Sequence, residues 1–184
     1  SIIKIKIMTK RFSVCLPITG SLLRSSTELI KKLNKINKTK FITIPHINIL
    51  SGNYKKEQNL IKKFKKISIT KKTTIKLIGI GVFFNKKNII HLRFEKSKFI
   101  QNLKKVVKKK IKIKNINIDY TATELLWMPV STLCMTKFSD YRLLQSIKIS
   151  KRDININGFS PKKLLLMDVT SSDEKVISEN ILKK

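Results

Sequence analysis

Short apolar segments with strand-like spacing recur along the chain and predict six β-strands. In the segment 41–50, His46 and Asn48 alternate with Ile47 and Ile49, so an extended backbone places the two pairs on opposite faces. The predicted strands cover residues 11–18, 41–50, 74–84, 88–95, 126–135 and 163–169. The third and fourth are separated by a short polar turn, which predicts a hairpin. Residues 2–8 fit an edge strand, and residues 111–120 fit either a strand or a basic linker.

Between these strands, apolar residues at helical spacing predict four helices. The first begins at Ser26 or Thr27, either of which can cap it, with Glu28 in its first turn and an apolar stripe that ends at Ile36. The other three cover about Lys55 to Lys66, Lys98 to Lys110 and Ser139 to Ile147. We interpret the acid-rich tail from Ser171 as a mobile or partner-bound helix.

The order of these elements favours an α+β fold. A chain of 184 residues is long enough for one substantial core and short for two domains. Helices and strands alternate without a Gly-rich phosphate loop, and an α/β fold with a mixed sheet is the alternative. We expect a basic extension over residues 1–10, the folded domain over 11–170 and a tail over 171–184.

The chain is strongly basic, with 41 Lys and Arg residues against 11 Asp and Glu and a formal net charge of +30. A coding bias toward Lys, Ile and Asn raises the number of lysines. It does not explain the scarcity of Asp and Glu, which are absent from residues 1–27. Self-repulsion of this size is relieved by a polyanion, so RNA is the expected partner. The residues expected to contact its phosphates are Lys31, Lys32, Lys62, Lys63, Lys65, Lys66, Lys104, Lys105, Lys108, Lys109 and Lys110.

Two segments share a short motif of four residues. It begins with Pro, the second and third residues vary, and the fourth is Asn or Thr. The first is Pro45-His46-Ile47-Asn48-Ile49, and the second is Pro129-Val130-Ser131-Thr132-Leu133. The second residue is His in the first motif and Val in the other, so only the first motif can transfer protons.

These motifs resemble those of the two-histidine phosphoesterase superfamily, which includes the LigT-like 2′-5′ RNA ligases and cyclic phosphodiesterases. Members carry two His-x-Thr/Ser motifs, usually preceded by Pro and followed by Leu. The resemblance runs from about Arg11 to Val169, and the segment from Lys76 to Phe84 resembles the family's strand after the first motif. It implies two pseudo-symmetric lobes of mixed or antiparallel sheet with the helices outside.

The resemblance also implies the chemistry, in which two histidines exchange protons with the attacking and leaving oxygens while Thr or Ser hydroxyls hold the phosphate. Here Val130 stands in place of the second histidine and Asn48 in place of the first Thr. We therefore expect His46, Asn48 and Thr132 to be the remains of a catalytic site. Asn and Thr can still hydrogen-bond an anion, but one imidazole does not complete the relay. On this basis the chain is not expected to be an enzyme.

His91, in Ile89-Ile90-His91-Leu92-Arg93, is the candidate for the missing partner. Its segment lacks the Pro and Thr positions, and the resemblance places it on a hairpin strand away from the second motif, so we expect a structural role. Cys15 and Cys134 have neither an identifiable base nor metal-ligand spacing, and no cofactor or metal is expected.

These observations favour a non-catalytic, RNA-binding structural component of a ribonucleoprotein, with an organellar ribosome, in the mitochondrion above all, as the setting. Its partners would be ribosomal RNA and neighbouring proteins, without a membrane. One alternative is a divergent 2′,3′-cyclic phosphodiesterase or RNA-end-processing enzyme that uses His46. Another is a non-catalytic nucleotide-binding module that acts as a sensor. Two imidazoles on facing surfaces of a cleft would favour the enzyme.

Overall fold

The computed structural model describes residues 9–69, 73–84, 86–112, 116–118, 127–155, 157–171 and 173–183. Its strands are β1 (Lys10–Pro17), β2 (His46–Tyr54), β3 (Ile75–Phe83), β4 (Asn88–Phe94), β5 (Ile116–Ile118), β6 (Val130–Thr136), β7 (Gly158–Phe159), β8 (Lys163–Asp168) and β9 (Lys175–Ile181). Its helices are α1 (Gly20–Asn37), α2 (Glu57–Phe64), α3 (Lys98–Ile111) and α4 (Asp140–Asp153). The strand predicted over residues 2–8 lies outside the described residues. No helix in the described ranges is long and apolar enough to cross a membrane.

The strands form two sheets, and every pair of neighbouring strands in the described ranges is antiparallel. Sheet A has the order β5-β2-β1-β8-β9, and sheet B has the order β6-β4-β3-β7. The predicted hairpin is confirmed as β3–β4. Each motif begins a strand of a different sheet, with His46 in β2 and Val130 in β6. The predicted α+β class with two sheets is confirmed.

The helices cover one side of each sheet and tie the two sheets together. α2 and α3 pack on each other and against strands of sheet A. α1 connects β1 to β2 of sheet A, yet it packs on β6 and β7 of sheet B, where α4 lies beside it. Side chains from both sheets and all four helices consequently belong to one apolar core.

Burial alternates along the strands and separates a helix-covered face from an opposite face, here called the inner face. In β1, Phe12 and Val14 belong to the core under the helices, whereas Cys15 packs with Leu165 on the inner face. Residues that are paired directly across strands point to the same side of a sheet, so the division extends to the neighbouring strands. In sheet A the inner face carries His46 and Asn48, which alternate with buried core residues.

The first helix begins earlier than the sequence predicted. α1 starts at Gly20 after the N-cap Thr19, so the expected start at Ser26 or Thr27 is wrong. Leu22 is fully buried and extends the apolar stripe toward the N-terminus, and Ser26 lies buried within the helix. Ser and Thr are strong capping residues only where helical N–H groups lack partners, and an additional turn of apolar contacts outweighs that preference.

The acid-rich tail forms a strand, so its interpretation as a helix is wrong. Residues 175–181 make β9, which pairs with β8 at the edge of sheet A. Lys163 of β8 and Glu179 of β9 form an ion pair with a distance of 2.7 Å between the charged atoms. Without β9, the edge of β8 would expose unpaired N–H and C=O groups, which explains why the tail adds to the sheet.

Leu33→Ala should lower the free energy of unfolding by about 2–5 kcal/mol, because it truncates a side chain on α1 that is fully buried in the shared core. The matched control is Leu144→Ala on α4, where the leucine is 60% exposed and truncation should cost less than about 0.5 kcal/mol. Urea unfolding followed by circular dichroism measures both. Equal, small effects would contradict the packing of α1 on sheet B.

Candidate active site

The two motif strands meet at a cleft between the sheets. β2 and β6 are in direct contact, and a cavity of about 460 Å³ opens beside them. Asn48 of the first motif and Val130 of the second both line this cavity. Its other lining residues are Arg11, Ile49, Leu50, Ser51, Phe83, Lys104, Trp127 and Met128. His46 and Thr132 lie two positions away on the same strand faces and do not line the cavity itself.

His46 is the first residue of β2, and its half-buried imidazole is oriented by neighbouring groups. Nδ1 donates a hydrogen bond to the carbonyl oxygen of Ile44 at 2.6 Å, which fixes the orientation of the ring. The Cys15 side chain on the adjacent strand β1 also hydrogen-bonds this imidazole. The ring is therefore positioned before any ligand binds.

The surroundings of His46 favour its protonated form. Burial lowers the pKa of the imidazole, but contact with Cys15, the charge of Glu174 and the hydrogen bond to Ile44 outweigh burial and raise the pKa to about 9. Glu174 is held in turn by Thr43, whose hydroxyl donates to the carboxylate at 2.8 Å. At neutral pH His46 is a cation that can donate a proton.

Asn48 belongs to a short chain of polar contacts on the inner face of sheet A. Its amide nitrogen donates to the Ser51 hydroxyl at 2.6 Å, and that hydroxyl donates to Ser13 at 3.4 Å. The side chain is exposed at the cleft. An amide carries two N–H donors, so one remains for a phosphate oxygen after the contact with Ser51 is made.

In sheet B, a histidine lies beside the second motif. His91 of β4 is paired with Thr132 of β6, and Arg93 is paired with Val130. Directly paired residues share a face of the sheet and have Cβ atoms about 4.5–5.5 Å apart. His91 therefore lies on the inner face next to Thr132, and the expectation that it lies away from the second motif is wrong.

The environment of His91 favours a neutral ring. The side chain is 1% exposed, Nε2 has no hydrogen-bond partner among the described residues, and Nδ1 lies 3.4 Å from the Ile89 carbonyl. Phe83 stacks on the ring with centroids 4.0 Å apart. Burial lowers the pKa of His91, the backbone contact opposes this, and the nearby charge of Arg93 lowers the pKa further. The two histidines thus differ in charge at neutral pH.

Two cationic side chains, Arg11 and Lys104, line the cleft. The Lys104 ammonium lies 4.1 Å from the centroid of the Trp127 ring, a cation–π contact at the cavity wall. Lys104 also belongs to α3, which packs against α2. We call the predicted RNA-binding lysines on these two helices and directly after α2 the α2–α3 basic face, which consists of Lys62, Lys63, Lys65, Lys66, Lys104, Lys105, Lys108, Lys109 and Lys110.

The remaining two predicted RNA-binding residues lie elsewhere. Lys31 and Lys32 are on α1, which packs on sheet B, and both make ion pairs, at 2.9 Å with Glu28 and 2.7 Å with Asp153. The predicted lysines therefore belong to two groups of helices, and among them Lys104 is the one that lines the described cavity.

The site contains groups suited to proton transfer and anion binding. Two imidazoles, an amide and a hydroxyl lie on the inner faces, with cationic side chains at the cavity wall. Within the described part of the chain, no three His, Cys, Asp or Glu side chains are grouped closely enough to hold a metal ion. These groups are those that hydrolysis of a phosphate ester requires.

Comparison with solved structures identifies this fold in other proteins. LigT from Escherichia coli in its apo form superposes with a TM-score of 0.63 at 7% identity, over 96% of this chain and 99% of LigT. TT0787 of Thermus thermophilus gives 0.59 at 10% identity, over 94% of this chain and 98% of TT0787. Usb1 from Kluyveromyces marxianus, with uridine monophosphate, gives a TM-score of 0.50 at 12% identity, over 91% of this chain and 98% of Usb1. No protein-family model and no curated protein sequence matches the chain.

These neighbours confirm the predicted LigT-like fold of the two-histidine phosphoesterases. They contradict the expectation that the chain is not an enzyme, because the phosphoesterase fold is present over nearly the whole chain. Val130 removes a histidine from the second motif, and His91 is an imidazole on the same face of sheet B.

The His46 imidazole should remain protonated at pH 7 and lose its proton near pH 9. Because this pKa lies above the ordinary value of 6.5, protonation stabilises the fold fully below about pH 6.5, and the contribution is lost as the pH rises through about 9. Glu174→Gln should lower the pKa of His46, since it removes a negative charge. Glu179→Gln, which alters a carboxylate paired with Lys163, should not change it. NMR titration of the ring resonances measures each value, and a wild-type midpoint near 6.5 would contradict this environment.

Proposed function

We propose that this chain is a phosphoesterase that acts on RNA, as a 2′,3′-cyclic phosphodiesterase or a related RNA-end-processing enzyme, with His46 as its general acid. The observation that carries the proposal is the state of His46. The imidazole is fixed by the Ile44 carbonyl, protonated at neutral pH and placed on the strand face that leads into a basic cleft. A cation in this position can supply the proton that a departing ribose oxygen needs.

Hydrolysis of a cyclic phosphate requires that proton when the ribose oxygen leaves phosphorus. Water attacks phosphorus, the bond to the 2′ or 3′ oxygen breaks, and the leaving oxygen takes the proton from Nε2 of His46. Without an acid, this oxygen would depart as an alkoxide, which is a poor leaving group. General acid catalysis contributes about 10²–10⁴-fold to such a step.

The cleft also suits the phosphoryl group itself. The Asn48 amide and the Thr132 hydroxyl can hydrogen-bond its oxygens, in the role that the two-histidine family gives to Thr or Ser. Arg11 and Lys104 add positive charge, which stabilises the negative charge that develops on those oxygens in the transition state. Trp127, at the same wall, offers an aromatic surface on which a nucleobase can stack.

The solved neighbours support a nucleotide as the ligand. LigT structures include complexes with ATP, phosphate and 3′-AMP, and a Usb1 structure contains uridine monophosphate. This chain has the fold of LigT over 96% of its length. We extend nucleotide binding to this chain on the strength of that fold together with its own basic cleft.

The charge of the chain favours RNA over a free nucleotide. A net charge of +30 far exceeds what one phosphate can neutralise. Lys104 belongs both to the α2–α3 basic face and to the cleft wall. A single-stranded RNA bound along these helices would therefore bring its end to the site. Membership of a ribonucleoprotein such as an organellar ribosome stays a prediction, because no contact or comparison bears on it.

Purified protein should hydrolyse 2′,3′-cyclic AMP or RNA ending in a cyclic phosphate, and His46→Ala should reduce kcat by about 10²–10⁴-fold because it removes the acid. Activity should decline as the pH rises through about 9, where His46 loses its proton. Chromatographic separation of cyclic and opened products measures the rate.

The control for this experiment is Tyr141→Ala, which truncates a side chain that is 75% exposed on α4 and should leave the rate unchanged. Equal turnover by wild type and His46→Ala would point to a contaminating enzyme and would refute the role of His46. Absence of turnover in the wild type on both substrates would refute the proposed reaction.

Replacing Lys108, Lys109 and Lys110 together by Gln should weaken binding to single-stranded RNA. Each lost phosphate contact lowers the slope of log affinity against log salt by about 0.7, so the slope should become shallower by about 2. The control replaces Lys31 and Lys32 on α1, which packs on sheet B away from this face, and should change the slope less. Fluorescence anisotropy between about 50 and 200 mM salt measures this, and equal effects would argue against the α2–α3 basic face as the RNA surface.

A further inference from the structure

We infer that His91 is the general base of this reaction and replaces the histidine that the second motif lacks. The inference rests on the proposed function, because it names the second proton-transferring group of the same site. This group does not come from the motif strand β6. It comes from β4, the neighbouring strand in sheet B.

Strand register places His91 on the same face of sheet B as the second motif. Its partner in the β4–β6 ladder is Thr132, and the residue paired with Val130 is Arg93. All four lie on the inner face of sheet B, which approaches sheet A through the contact between β6 and β2. Neighbouring strands are only about 4.7–4.9 Å apart, a distance comparable to the reach of an imidazole from its own backbone.

The Nε2 atom of His91 has a chemical property that a residue with a purely structural role would not need. Nε2 is buried and has no hydrogen-bond partner among the described residues. A buried polar atom without a partner costs about 1–3 kcal/mol, and an apolar side chain of similar shape would avoid that cost. Nε2 lies over Gly81 of β3, on the inner face that also carries Thr132, and an unpaired nitrogen there can accept a proton.

The adjacent strand leaves room for this ring. Gly81 of β3 is paired with His91, and a Cβ at that position would lie 2.5 Å from Nε2. Phe83, two residues further along β3, stacks on the imidazole and also lines the cleft. Phe83 thus contacts both His91 and the cavity, and the proposed role requires this side chain to turn aside so that water reaches Nε2.

The charges around His91 suit a base. Among the described residues, the groups paired or stacked with it are Thr132 from β6 and Gly81 and Phe83 from β3, and Arg93 on its own strand is the charged group nearby. Burial and that guanidinium lower the pKa of the imidazole. His46 is protonated and His91 neutral at the start, which are the states that the acid and the base require.

Water is the second reactant in the proposed hydrolysis. Nε2 of His91 accepts a proton from the attacking water while its oxygen bonds to phosphorus. The bond from phosphorus to the ribose oxygen breaks, and that oxygen takes a proton from His46. The product is a phosphate monoester beside a free hydroxyl, and proton exchange with solvent restores both imidazoles.

Two variants of His91 test the inference in the full-length protein. His91→Phe retains the stack on Phe83 and removes the unpaired nitrogen, so the protein should be at least as resistant to thermal unfolding as the wild type. His91→Gln retains a polar group that cannot accept a proton at neutral pH. Both should reduce kcat on 2′,3′-cyclic AMP by about 10²-fold or more with little change in KM, and both should abolish the loss of activity at acidic pH.

Retention of at least a third of the wild-type kcat by either folded variant, with the acidic limb of the pH profile unchanged, would overturn the role of His91. Under that outcome His46→Ala would still abolish turnover, so the proposed function would stand while this inference fell. If the wild type has no activity that depends on His46, the proposed function fails and this inference fails with it. The two failures are thus distinguishable.

Discussion

The packing of α1 on sheet B is the contact on which the rest of the structure depends. This helix leaves β1 and returns to β2, both in sheet A, but it buries its apolar stripe against β6 and β7. Each fully buried leucine on it contributes about 1.5–3 kcal/mol. The two sheets therefore cannot separate without exposing Leu22 and Leu33, and this constraint fixes the distance between the motif strands.

The charge states of the two histidines follow from their different neighbours. His46 is half-buried beside Cys15 and Glu174, which together favour the imidazolium. His91 is fully buried beside Arg93, so the neutral ring is favoured. Two identical side chains thus acquire opposite charge states through their neighbours, before any ligand binds.

The sequence predicted the strands and the motif positions well, because alternating burial is a local property. The ends of elements depended on tertiary contacts and were less predictable. The burial of Leu22 decided where α1 begins, and the unpaired edge of β8 decided that the tail forms a strand. The position of His91 beside Thr132 depends on the register of β4 against β6, including a register shift between Ile90 and His91. The spacing of residues in the sequence does not reveal such a shift. The available signal was the alternation in β4, where His91 and Arg93 stand between apolar residues and so share one face of the strand.

The central place of β1 in sheet A has a consequence for how the chain is made. β1 is flanked by β2, which is synthesised soon after it, and by β8, which is synthesised near the other end of the chain. Until β8 emerges from the ribosome, one edge of β1 has no partner, and its backbone groups can pair with another strand. The nascent chain at that stage is already rich in lysine and has no acid among residues 1–27. An unfinished chain would therefore attract polyanions before it has a cleft with which to act on them.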